Sequence, residues 1–190
     1  MVSRTFQRAV QDVRQELRRA GLDALLDRIE LHRSWSILDH AGLALGLFVS
    51  GDRRRRIIGV IRIPVLTLPL INGWARWVRS WKIGSPCRIS LRFVLRHEVG
   101  HALAHWLGCF GTPGKPWGSG TSFTPYAATS ADEDLAETVA IFLTRRGHPP
   151  RRHLDQHLAA KWRAAGDLLH AGRRRCAVRS ASPQPCRNTR

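Results

Sequence analysis

Residues 91–107 of this 190-residue chain read LRFVLRHEVGHALAHWL, with apolar side chains at Leu91, Val94, Leu95, Val99, Ala102, Leu103 and Trp106. A recurrence at three and four fits an α-helix with one face in a core, and Gly108 stands where such a helix stops. Two histidines four apart, His97 and His101, sit in the middle of that run with Glu98 between them. On a helix, positions i and i+4 share a face about 6 Å apart along the axis, so two imidazoles can aim at one ion. Glu98 projects about 100° around from His97. Its carboxylate falls beside the metal, where it can take a proton from a bound water and pass it to a leaving amine. These parts make a peptide or amide hydrolase.

The plain alternative is a solvated helix face that happens to spell HExxH, which nine histidines and five glutamates in the chain make uncommon. His105 lies eight residues beyond His97, about 12 Å along the helix, too far to share the ion. The longer pattern HExxHxxGxxH needs Gly at 104 and His at 107, where this chain has Ala104 and Leu107. His148, His153 and His157 remain open as ligands, although surface exposure is the commoner fate of such histidines.

Zinc needs a further protein ligand. The next helix, expected over about Ser130–Arg146 with Leu135, Val139, Phe142 and Leu143 inward, carries Glu133 and Glu137 four apart in EDLAE. One can bind the metal while the other orients a ligating histidine from behind. Helix capping competes for Glu133, since Ser130 with Glu133 fits a capping box; Thr129 with Asp132 fits one equally well and leaves Glu133 free. Between the two helices, residues 108–129 hold five glycines and three prolines, which excludes a long regular element.

The remaining chain has less chemistry in it. Residues 4–30 predict a helix broken near Gly21. Ala41–Ser50 and Ile57–Leu68 predict neighbouring strands about a Gly51-Asp52 turn, with Pro64 pushing the second toward an edge or a bulge. Ile57–Leu68 is then the candidate edge for pairing with an extended substrate. Trp74, Trp77, Val78 and Trp81 predict a short helix over Asn72–Lys82, its tryptophans in the core. A last helix is expected over about His153–His170. The net charge of +17 comes from 31 basic and 14 acidic residues. It raises nucleic acid or an anionic surface as a partner. Basic residues are almost all Arg and mostly scattered, with six of them and no acid in residues 173–190, so a solvated surface is favoured. Cys87, Cys109, Cys176 and Cys186 lack CxxC spacing and read as two buried small hydrophobes and two tail thiols. No secretory signal or membrane span is evident, since the most apolar window, Ile57–Ala75, contains Arg62, Pro64 and Pro69. A reducing, cytoplasmic setting is the default expectation.

HEVGH followed by YAATSADEDLAETVAIFL resembles the gluzincin class of zinc peptidases. Within it, the likeness is to the bacterial zinc-binding metallopeptidases related to the catalytic domain of anthrax lethal factor, over roughly Arg92–Leu143. The resemblance implies Glu133 as third zinc ligand, Glu137 as the carboxylate behind it, and Tyr126, the single tyrosine, as donor to the oxyanion of the reacting carbonyl. The expectation is then an α+β, zincin-like single domain with a twisted sheet, an active-site helix and a second ligand-bearing helix. It spans residues 1–172, with a helix and strands in 1–85 and the catalytic part in 86–172, and a basic disordered tail follows over 173–190. One Zn2+ per chain and a protein or peptide substrate are implied. Two other readings stand beside it: a DNA-associated zinc protease, and a metal- or nucleic-acid-binding module without catalysis.

Overall fold

The computed structural model describes residues 4–34, 47–50, 59–64, 90–111, 114–150 and 154–181. Helix α1 (Arg4–Arg19) buries Phe6, Ala9, Val13 and Leu17. A one-turn helix α2 (Asp23–Leu26) follows, then strand β1 (Ile29–Ser34). Strands β2 (Leu47–Ser50) and β3 (Gly59–Pro64) precede helix α3 (Leu91–Leu107). A single 3-10 turn, Ala127–Thr129, leads into helix α4 (Ala131–Thr144), and helix α5 (Gln156–Ala181) comes last.

Helix α3 is the hub. Its Val94, Leu95, Val99, Leu103 and Trp106 join Leu17, Leu22, Leu25, Ile29 and Ile61 in one core. Fully burying a leucine such as Leu17, Leu25 or Leu103 contributes about 1.5–3 kcal/mol each. Ion pairs fasten the same face at its rim. The Arg96 guanidinium forks onto Glu16 of α1, with Nε and Nη2 at 2.9 and 2.6 Å from the two carboxylate oxygens. Its Nη1 donates to Thr144 of α4 at 3.1 Å, and Arg92 pairs with Asp12. Position 100 fixes how near α4 can come: a Cβ on Gly100 would stand 2.8 Å from the Ala136 Cα, inside any normal contact.

Several expectations are corrected. The α+β domain built on a twisted sheet is replaced by a mostly helical one. Helices of 16, 17, 14 and 26 residues carry the described residues, while strands of 6, 4 and 6 residues make only a small sheet. In that sheet, β3 is central, parallel to β1 and antiparallel to β2. Segment 57–68 therefore offers no free edge along Gly59–Pro64 for a substrate strand. Pro64 is the last residue of β3, where its missing N–H costs the ladder little. The helix expected through residue 30 gives way at Ile29 to β1.

The last helix starts at Gln156 and continues to Ala181, so residues 173–181 are helical rather than tail. The reason is a buried stripe: Trp162, Ala165, Leu169 and Cys176 are all buried, and Gly172 on the same face lies against Leu103 and Leu22. Cys176 is a core residue and not a tail thiol. The tryptophan helix over 72–82, Cys87, Cys186, His153 and residues 182–190 lie outside the described residues. No helix among the described residues is long and apolar enough to cross a membrane.

Candidate metal centre

Both helices that carry the site are capped by their own sequence. Ser90 Oγ accepts the Phe93 N–H at the start of α3, and Gly108 closes its end in the left-handed conformation at φ 82°. Ser130 Oγ accepts the Glu133 N–H at 3.1 Å at the start of α4, which settles the competition between the two caps. Glu133 supplies its backbone to the cap but sends its carboxylate to the histidines. Asp132, Glu133 and Asp134 in that first turn also suit the positive end of the helix dipole.

The close approach at Gly100 and Ala136 brings Glu133 and Glu137, one turn apart on α4, against His97 and His101, one turn apart on α3. His97 Nε2 lies 3.1 Å from His101 Nε2 and 3.0 Å from Glu133 Oε2. His101 Nε2 is 3.6 Å from the same oxygen. Zinc bonds of about 2.0–2.1 Å at tetrahedral angles set ligand atoms about 3.3 Å apart, so this triangle has the right size. Among the described residues, His97, His101 and Glu133 are the cluster that can hold a metal ion.

The direction of the protons tests that fit. Glu137 Oε2 is 3.1 Å from His97 Nδ1, and an ionised carboxylate only accepts, so the Nδ1 carries the hydrogen. His97 Nε2 then presents a lone pair to Glu133 Oε2, a second acceptor that is buried and takes no well-directed hydrogen bond. Such a meeting of lone pairs requires a cation. A proton is the smallest one that serves. Burial works against charge on His97, yet Glu133, Glu137 and Glu98 outweigh it and raise its pKa from 6.5 to about 10. Burial likewise works against charge on the Glu133 carboxyl, yet His101 and then His97 hold it far below the usual carboxylate range.

Glu98 is 4% exposed and acts electrostatically on both His97 and Tyr126. The Tyr126 ring stands 5.7 Å from the His97 ring and is 52% exposed, at the mouth of the site. Partial burial, then the carboxylates of Glu133, Glu98 and Glu137, push its hydroxyl pKa well up. Phe110 covers the other side, edge-on to His101 at 5.7 Å and to His105 at 5.9 Å. His105 lies outside the cluster, as its spacing requires, and His148 and His157 are exposed and apart from it.

The loop between the helices is pinned from α4 and α5. Asp132 Oδ1 accepts the Gly111 N–H at 3.0 Å, and Asp134 Oδ2 accepts the Gly118 N–H at 2.9 Å. Lys161, fully buried, lies 2.7 Å from the same Asp134 oxygen and donates to the Thr121 carbonyl at 2.7 Å and to Ser122 Oγ at 3.2 Å. Phe123 packs on Trp162 at 5.9 Å. Sequence reasoning singled out neither Lys161 nor Thr124, whose hydroxyl donates to Glu137 Oε1 at 3.0 Å. Thr124-Pro125 before the single tyrosine was the one local signal available, a turn whose hydroxyl can bond backbone two or three residues on.

No protein-family model, curated protein or solved structure matches this chain.

Proposed function

We propose that this chain is a zinc-dependent peptidase in which Glu98 is the general base. What carries the reading is the convergence of His97 Nε2, His101 Nε2 and Glu133 Oε2 beside a buried Glu98. Three protein ligands leave one position for water or substrate, whereas structural zinc sites are usually closed by four Cys or His. The ligand order is of the gluzincin type, a likeness of site and not of fold.

Zinc held by these three residues would supply Lewis acidity, lowering the pKa of a water toward about 7. Glu98 accepts the proton of the attacking water and returns it to the amine nitrogen as the peptide bond breaks. Glu137 keeps His97 in the tautomer that offers Nε2. Tyr126, its hydroxyl pKa raised, stays a donor at neutral pH and stabilises the negative charge that develops on the carbonyl oxygen.

Purified protein is expected to hold one zinc per chain, measured by elemental analysis. Glu98→Gln is expected to keep that zinc and to lose peptide hydrolysis by about 10²–10⁴-fold. A Glu98→Gln variant as active as the parent would sink the mechanism.

A further inference from the structure

One hydroxyl touches both halves of the site. Thr124 Oγ1 accepts the backbone N–H of Ala127 at 3.1 Å and donates its own proton to Glu137 Oε1 at 3.0 Å. Glu137, through its other oxygen, receives the Nδ1 hydrogen of His97 at 3.1 Å. The result is one continuous chain from the turn after Tyr126 to the edge of a ligating histidine. Its polarity is determined throughout. The Ala127 amide can only donate, so the Thr124 proton is left for the carboxylate, and the carboxylate accepts once on each oxygen.

A threonine that merely capped the 3-10 turn would need the Ala127 bond alone. The second bond, to a buried carboxylate of the site, is the part that capping does not require. We infer that Thr124 is a positioning residue. Through Glu137 it holds His97 in the metal-ligating orientation, and it sets the turn carrying Tyr126 in register with that ligand. The first role needs only metal binding; the second rests on the proposed peptidase reading.

The test compares Thr124→Val with Thr124→Ser in the full chain. Zinc and cobalt(II) affinities come from competition with a chromophoric chelator, folding from the thermal midpoint of the metal-free forms, and kcat and KM from a peptide substrate at saturating zinc. Thr124→Val is expected to weaken zinc by about 10–100-fold while its metal-free midpoint falls only by about 2–6 °C, the cost of the lost hydrogen bonds, and Thr124→Ser to stay within about twofold of the parent. At saturating zinc, Thr124→Val should still lose about tenfold in kcat with little change in KM, because the turn has lost its tie to the ligand. Adding Thr124→Val to Glu137→Gln should cost no further zinc affinity, since both act through one chain. Should Thr124→Val fail to fold, Thr124→Ala against Thr124→Ser makes the same comparison. Parent-like zinc affinity in the variant without a hydroxyl, or an equal loss in Thr124→Ser, would overturn the assignment. If no form hydrolyses peptides yet zinc affinity follows the expected order, the peptidase reading falls and the Thr124–Glu137–His97 chain stands.

Discussion

The two sides of helix α3 are built on opposite terms. Toward α1, α2 and the sheet, it presents Val94, Leu95, Val99 and Leu103 to other apolar side chains, with Arg96 forked onto Glu16 at the rim. Toward α4 it presents His97, Gly100 and His101 to Glu133, Ala136 and Glu137. The first side holds together by apolar packing and a rim ion pair, with no ion called for. The second gathers acceptors at one point and is complete only with a cation there. Folding is thus secured on one face, so the other is free to hold an arrangement that is unfavourable when empty.

Truncating the apolar side should show the largest effect on stability. Leu103→Ala is expected to cost about 2–5 kcal/mol in denaturant unfolding, while the folded fraction still binds zinc with parent affinity. Equal losses in both would erase the distinction between the two sides.

The polar side should respond to pH with metal absent and cease to respond with metal bound. His97 has a folded-state pKa of about 10 against an ordinary 6.5. In metal-free protein its stabilisation is therefore full below about 6.5 and is lost as the pH rises through about 10, by at most about 1.4 kcal/mol per unit. With zinc bound, neither the folded nor the unfolded chain carries that proton above about 6.5, so the zinc-bound form should hold its stability over that range while zinc affinity rises. Thermal midpoints between pH 6 and 9, with and without a chelator, check both.

Gly100→Ala tests the gap between the helices. The added methyl meets Ala136 backbone, which cannot swing aside as a side chain would. A cost of about 1–3 kcal/mol is expected, together with loss of most zinc binding as Glu133 moves off the histidines. Zinc titration followed by calorimetry reads it. Smallest should be Glu137→Gln, with zinc affinity about 10–100-fold weaker and metal-free stability modestly lower at neutral pH, since the protonated His97 loses one of its carboxylate partners.

What could be read from the sequence follows the range of the interactions. The α3 pattern, its Gly108 stop and the four-residue spacings of His97 with His101 and Glu133 with Glu137 are local, and each stands where that spacing places it. Long-range partners left no such trace. Arg96 with Glu16, and Lys161 with Asp134 and Thr121, pair side chains from separate helices and a loop, and nothing near either residue announces the other. The position of β3 depended on β1, some thirty residues earlier, so Pro64 pointed to an edge when it marks only a strand end. In α5 the arginines of 173–175 masked a usable period: Trp162, Ala165, Leu169, Gly172 and Cys176 recur at three and four.

Lys161 gives the site an order of assembly. All three candidate ligands and Glu137 have been synthesised by residue 137, while the cation that fastens Thr121, Ser122 and Asp134 comes later in the chain. At about 5–20 residues per second, the interval is roughly one to five seconds. During translation the ligands are therefore made before the cation that buckles down the loop over them, and until Lys161 docks, that loop is tied to α4 through Asp132 and Asp134.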